Sequence, residues 1–199
     1  DKPMQEIMPE FSNLMSSALS IDPNDFECHR LQCAVNTMMG DMKAALEHGK
    51  KAYDVNPNDP RILQQYGEVL LKTGKTEEGC DLTLLALEYD PIAQGQTNSD
   101  KRKSDGVFGC VLDDRPDVGL DIASGMIDRS EKVLVYSAAL AVANTGSLQN
   151  FSWLIEDLKN ADFAQIEEAI EEMGKFDVVV QSKLKEVFLD YILPLKEVA

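Results

Sequence analysis

Apolar residues in this chain return every three or four positions, the spacing that puts them on one face of an α-helix. Over 4–20, Phe11, Leu14, Met15, Ala18 and Leu19 share such a face, and Pro9 is expected to start or kink that helix. Two stretches follow, 24–57 and 58–91. Each holds two striped segments split by a glycine, Gly40 or Gly74, and closed by a proline, Pro57 or Pro91. Glycine there suits the left-handed residue that ends a first helix, and proline ends the second because it has no amide hydrogen. Beyond Pro91, IAQGQTNSDKRK is polar and predicts a loop over 92–102. SDGVFGCVLDD predicts a first helix, and Pro116 then opens a helix through DVGLDIASGMIDRS with Gly119 at a close crossing. Residues 131–146 predict a helix ending at Asn144-Thr145-Gly146, and Ser147 is the expected N-cap of the next, through LQNFSWLIEDLKN. Two more helices are expected over 162–173 and 177–192, split at Gly174-Lys175. Strand-like alternation is scarce. Val178-Val179-Val180 is the only β-branched run, and its neighbours are helical. The expected fold class is all-α.

The prolines give the pattern a period. Pro23, Pro57 and Pro91 are 34 residues apart, twice running, in Ile21-Asp22-Pro23, Val55-Asn56-Pro57 and Tyr89-Asp90-Pro91. Small residues recur in register: Cys33 with Gly67, Ala45 with Gly79, and Ala52 with Ala86. Small side chains are needed where two helices cross closely. A period of 34 is that of a helix–turn–helix solenoid repeat. With about six residues added after Pro91, the third unit keeps the same rhythm.

The series Leu63, Tyr66-Gly67, Leu70, Gly74, Gly79, Ala86 and Pro91 resembles the signature of the tetratricopeptide repeat family, with His29 and Gly79 as departures. The match is strong over 24–91 and weakens toward both ends. The resemblance implies a right-handed α-solenoid of about four to five helical hairpins: a leading helix over 1–23, repeats over 24–57 and 58–91, an extended divergent repeat over 92–130, a divergent repeat over 131–160 and capping helices over 161–199. In LKEVFLDYILPLKEV the stripe Leu184, Val187, Phe188, Tyr191 and Ile192 is expected to pack on the previous unit, with homodimer formation as the alternative. In rhythm the chain also looks like the C-terminal tetratricopeptide regions of bacterial signalling proteins, where the array follows a cyclase or winged-helix domain. The chain begins at Asp1, as a piece of a longer protein would.

Composition narrows the partners. Of 199 residues, 44% are hydrophobic and 27% charged, enough for a folded core. The net charge of −16 and a pI near 4.4 argue strongly against nucleic-acid binding by this segment, because phosphates demand a basic face. The same charge speaks against an anionic membrane surface, and no apolar stretch is long enough to span a bilayer. Acidity suits a basic partner, and equally suits plain solvation of helix faces. Cys28, Cys33, Cys80 and Cys110 show no paired spacing, which points to buried thiols in a reducing, cytoplasmic setting.

No catalytic, cofactor or metal motif emerges, so an enzyme is not expected. Cys28 and Cys33 are five apart, about 140° round a helix, too divergent to share a metal. His29 and His48 lie on different helices without a nucleophile motif around them. Gly74-Lys75-Thr76 is not a phosphate loop: Val69 stands where a glycine is needed and no strand precedes it. The carboxylates Glu77, Glu78 and 167–172 read as solvated helix faces. Function is then expected on a surface. In the family, first helices line a concave groove, which here implies Glu27, Arg30, Ala34 and Thr37 from one unit and Arg61, Gln64, Glu68, Leu71 and Lys72 from the next. That mixture of charges and amides suits an extended peptide or protein partner. It does not suit the acidic tails of chaperones: the asparagines of that carboxylate clamp are missing and Glu68 would repel such a ligand. Two other classes fit the same chain, a homo-oligomeric scaffold and the accessory region of an enzyme whose catalytic domain lies elsewhere. Gly79→Ala is expected to be neutral or stabilising, since glycine inside a helix costs about 1 kcal/mol.

Overall fold

The structure, a computed structural model, describes residues 4–92 and 96–197, with side chains over 10–92 and 99–196. Every regular element among them is helical. The chain divides into two compact units, 1–90 and 91–199.

Unit 1 holds α1 (Met4–Ile21), α2 (Phe26–Met39), α3 (Met42–Val55), α4 (Pro60–Lys72) and α5 (Thr76–Tyr89). α1 continues through Pro9, so that proline does not start it. The prolines of the repeated phrase lie between helices, and the aspartate two residues after each of the first two caps the helix that follows. Asp25 accepts from the Cys28 amide at 2.7 Å, and Asp59 from that of Arg61 at 2.9 Å. Such caps satisfy amides that a helix start leaves unpaired. The turns inside the hairpins repeat as well. Gly40 and Gly74 have φ of +79° and +84°, and the following amides, of Asp41 and Lys75, each donate to the carbonyl five residues back, Asn36 and Leu70, at 2.9 Å. This is the left-handed helix ending that favours glycine.

Within unit 1, α2 packs on α3, α3 on α4, α4 on α5 and α2 on α4, a pattern compatible with stacked hairpins. The crossings are closer than side chains allow. A Cβ on Gly67 would lie 2.9 Å from Thr83 Cγ2 and 3.0 Å from the Gly79 carbonyl. In the preceding hairpin a Cβ on Gly49 would fall 3.1 Å from Cys33 Sγ. Cys33 and Gly67 are repeat equivalents, as are Gly49 and Thr83. Each hairpin therefore puts its glycine on a different helix of the same contact. Around these crossings Leu63, Tyr66, Leu70, Leu82 and Ala86 form one buried cluster, and Cys33, Ala45 and Val69 another.

Unit 2 holds α6 (Gln96–Leu112), α7 (Pro116–Ser124), α8 (Glu131–Thr145), α9 (Ser152–Asn160), α10 (Phe163–Met173), α11 (Val178–Val187), a π-helical turn (Phe188–Ile192) and α12 (Leu193–Glu197). The expected loop over 92–102 is overturned in its second half. α6 starts at Gln96 and is 17 residues long, against 14 and 13 for α2 and α4. Its polar start is not solvent-facing throughout: Ser99, Asp100 and Arg102 are buried, and Lys101 pairs with Asp105 one turn on at 3.1 Å. The extra residues of the third unit thus lengthen a helix. Its turn keeps the earlier geometry without glycine: Asp114 has φ +54°, and the Arg115 amide donates to the Cys110 carbonyl at 2.9 Å. Aspartate tolerates this region better than most side chains. Gly40, Gly74 and Asp114 are spaced by 34 and then 40 residues.

α7 does begin at Pro116, and Gly119 does lie at a close crossing, where a Cβ would come 2.8 Å from Cys110 Cβ. The helix is shorter than expected because Arg129 folds back on its end. Its guanidinium donates to the carbonyls of Ala123 and Ser124 at 2.7 and 2.9 Å, reaches Asp157 of α9 at 2.8 Å and stacks 4.5 Å from the Trp153 ring. α8 is the centre of the unit, packed by α6, α7, α9, α10 and α11 and buried from Val133 to Ala138 without interruption. Ser147 does not cap α9, which begins at Ser152; its hydroxyl instead accepts from the Gln149 amide in a turn. The C-terminal stripe is inside unit 2: Leu184, Val187, Phe188 and Ile192 are buried. The π turn precedes Pro194, with the Leu193 amide donating five residues back to Phe188. It relieves the break that a proline's missing amide makes in a helix.

The crossing geometry corrects the expectation for Gly79. A Cβ there would lie 2.8 Å from the Gly67 carbonyl and 2.8 Å from the Leu71 amide nitrogen, both backbone atoms that cannot swing away. Gly79→Ala is therefore expected to destabilise unit 1 by about 1–3 kcal/mol, as overpacking does. Ala86→Leu, at a site with no exposure, is expected to do the same. Chemical denaturation midpoints of the two variants against the wild type measure both.

Candidate functional site

The groove positions fall on the first helices of unit 1, α2 and α4, and most of them are tied into ionic or local contacts. Arg30 grips Glu27 of its own helix with two bonds, Nε at 3.0 Å and Nη2 at 2.7 Å. Arg61, half-exposed at 51%, forks onto Asp59 at 3.1 and 2.7 Å and extends Nη1 to Glu27 at 3.4 Å. Glu27 and Arg61 are one repeat period apart, so this contact joins equivalent faces of consecutive hairpins. Lys72 pairs with Glu68 one turn earlier. Thr37 turns its hydroxyl back to the Cys33 carbonyl at 2.8 Å. Gln64 is half-buried beside them, as is Ala34.

The electrostatics follow from these pairs. Arg30, and less strongly Arg61, hold the Glu27 carboxyl below its ordinary value, and Arg61 does the same for Asp59. The Asp59 carboxylate in turn raises Arg61. The strip is a set of cations already matched by neighbouring carboxylates. A ligand that binds here exchanges partners with them instead of meeting bare charge. The contacts of the half-exposed Arg61 are screened and individually weak, which makes exchange there cheap, while the Arg30–Glu27 and Lys72–Glu68 pairs are more sheltered.

Leu71 does not belong to this face. It is 2% exposed and its Cγ lies 2.8 Å from where a Cβ of Gly79 would be, so it packs into the α4–α5 crossing. Helical spacing alone placed it one position away from Lys72 on the same side, and only the neighbouring helix shows which side is covered.

Two features of unit 1 escaped the sequence reading. Ile21, Val55 and Tyr89, each just before its Asp-Pro or Asn-Pro turn, are exposed at 87%, 48% and 48%. They recur with the repeat period. The two histidines, set on different helices by the sequence, meet: Nδ1 of His29 and Nδ1 of His48 are 2.9 Å apart. A one-turn offset on facing helices left no signal in the sequence for that meeting.

The remaining chemistry is subdued. The thiols of Cys28, Cys33, Cys80 and Cys110 are buried, and burial pushes Cys33 up to about 12. Among the described residues no group of three or more His, Cys, Asp or Glu side chains could hold a metal ion, and no helix is long and apolar enough to cross a membrane. Unit 2 contains a cavity of about 280 Å³ between α6, α8 and α11, lined by Val111, Leu140, Val180, Leu184 and Val187, with the exposed Asp114, Lys183 and Glu186 as its charged members. Its polar groups are solvated and do not converge on one point, unlike the few placed groups of a small-molecule site.

No protein-family model matches the chain, and no curated protein does.

The division between strip and core predicts opposite outcomes for neighbouring substitutions. Leu71→Ala is expected to cost about 2–5 kcal/mol, as emptying a core leucine does. Arg61→Ala, which removes only contacts of a half-exposed side chain, is expected to stay within about 1 kcal/mol. Thermal or urea unfolding of the two variants checks this.

Proposed function

We propose that unit 1 is a tetratricopeptide-like interaction module that grips an extended peptide or protein segment along the α2–α4 face, through Glu27, Arg30, Thr37, Arg61, Gln64, Glu68 and Lys72. The Glu27–Arg61 contact, one repeat period long, is the observation that carries the reading. It lines up equivalent positions of two hairpins into one continuous strip, which is what an extended ligand requires. The recurrence of the left-handed turn at Gly40, Gly74 and Asp114 supports a repeat array, and the pattern of helix contacts in unit 1 is compatible with it. The partner this strip fits is a segment of mixed charge with backbone amides to offer, since its cations and carboxylates alternate. A basic segment would find the excess of carboxylates favourable. The module acts as a regulatory scaffold in the cytoplasm, within a longer bacterial signalling or transcription-regulatory protein, and carries no catalytic step of its own.

The test is capture of partners from a native lysate by the wild type and by a variant with Arg30→Glu, Arg61→Glu and Lys72→Glu. A partner bound by the wild type and lost by at least about tenfold in the variant is the expected result; a partner held equally by both removes the strip from the binding surface. Circular dichroism at matched temperature keeps loss of binding separate from loss of fold.

A further inference from the structure

His29 of α2 and His48 of α3 are the chain's two histidines, and their geometry fixes where protons can sit. Their rings lie 5.1 Å apart, tilted by 43°, with Nδ1 facing Nδ1 at 2.9 Å. His29 is buried at 4% exposure, and its other nitrogen, Nε2, is 3.0 Å from the Pro23 carbonyl. A carbonyl only accepts, so Nε2 of His29 carries a hydrogen. In the uncharged pair Nδ1 of His29 is then a lone pair, and Nδ1–H of His48 donates to it. One added proton goes to Nε2 of His48 and leaves both hydrogen bonds in place. The hydrogen between the rings can rest on either Nδ1, and a second added proton can only go to the remaining Nδ1 lone pair. Two N–H groups on two cations would then face each other across 2.9 Å, and the bond becomes a repulsion.

We propose that the His29–His48 pair is an acid-sensitive latch that ties the Pro23 turn to the α2–α3 hairpin and releases when both rings are protonated. The contacts it governs are local and structural. His29 holds the turn between α1 and α2 through Pro23, and His48 holds α3 to α2. The inference stands apart from the proposed binding strip and does not depend on it.

The surroundings resist the second proton. Burial, then the charge of His29 and that of Lys51, hold His48 below the ordinary imidazole value, with Glu47 pulling the other way. Asp22 and Asp25 flank the Pro23 turn, and Asp25 is committed to capping α2. From α1, the contact onto α2 is uncharged: Gln32 donates to the Ser12 carbonyl at 3.1 Å. The charged side chains of α4, Arg61, Glu68 and Lys72, are engaged in the pairs described above. A base whose folded-state pKa is depressed leaves stability untouched above its unfolded value, about 6.5 for histidine. Stability then falls as the pH drops below that value, and levels off once the folded-state value is passed. Acid thus weakens this hairpin while it eases the general repulsion of a chain of net charge −16.

Two measurements on the full chain decide the matter. The first is thermal unfolding at pH 7.5 and 5.5 of the wild type and of His48→Gln, whose amide keeps a hydrogen-bonding group facing His29 but cannot charge. The wild type is expected to lose roughly 2–4 °C more than the variant over that interval. The second is an NMR titration of the wild-type imidazole nitrogens. Two separated steps are expected, with the second displaced to clearly lower pH and accompanied by loss of protection at the α2 and α3 amides. The titration needs no variant, so it decides the question even where His48→Gln fails to fold. Parallel pH dependence of the two proteins, or one shared titration step near pH 6.5 with protection retained, overturns the latch.

Discussion

At the crossing of α4 and α5 two backbones touch with nothing between them. Gly67 and Gly79 face each other so closely that a methyl group on either would strike the other's carbonyl. This contact sets the depth of the second hairpin. It lets Leu63, Tyr66, Leu70, Leu82 and Ala86 reach each other across the interface and close a core. The first hairpin solves the same problem with the glycine on its other helix, Gly49 against Cys33. Both solutions bring the first helices of successive hairpins side by side. The Glu27–Arg61 contact, and with it the proposed strip, is a consequence of that spacing.

Unit 2 is organised by a different constraint. α8 is apolar on all sides, so it cannot lie at a surface, and five helices are gathered round it. A helix of this kind has no polar face to give to solvent. Four of those helices, α7, α9, α10 and α11, are shorter, and their ends need other partners. Arg129 provides several at once, closing the carbonyls of α7 while its flat guanidinium rests on Trp153 and pairs with Asp157. The planar fork of arginine makes this combination possible, where a lysine would supply one point charge. The buried C-terminal stripe completes the enclosure of α8, with the π turn placing Pro194 where its missing hydrogen is harmless.

Part of the acidity in this protein is used locally. Asp25, Asp41, Asp59, Asp162 and Asp177 cap helix starts, where an anion meets unpaired amides and the positive end of the helix dipole. Glu27, Asp59 and Glu68 neutralise the cations beside them. The histidine pair is set apart from this pattern: a nearly buried contact whose strength turns on one proton and not on screening by solvent.

Local pattern sufficed for the helices α2 to α5 and their ends. The 34-residue period, the two left-handed glycines, the proline-closed phrases and the small residues at Ala52 and Ala86 are each dictated by backbone geometry or steric size, and those operate within a few residues. The all-α class followed from them, as did the general location of charged first-helix positions. Facts about which side of a helix is covered belonged to the tertiary structure. Leu71 and Lys72 are adjacent in sequence, yet one fills a crossing and the other lies in the ionic strip. Gly79 looks replaceable by alanine until the backbone of α4 is put against it. The polar start of α6 reads as loop until burial of Arg102 and Asp100 makes it helix, and Asp114 hides a turn that glycine would have announced. His29 and His48, 19 residues apart, meet only because α2 and α3 fold back on each other. Sequence determines what depends on a residue and its near neighbours; contacts between helices depend on their separation and rotation, and those are fixed only when the whole core is packed.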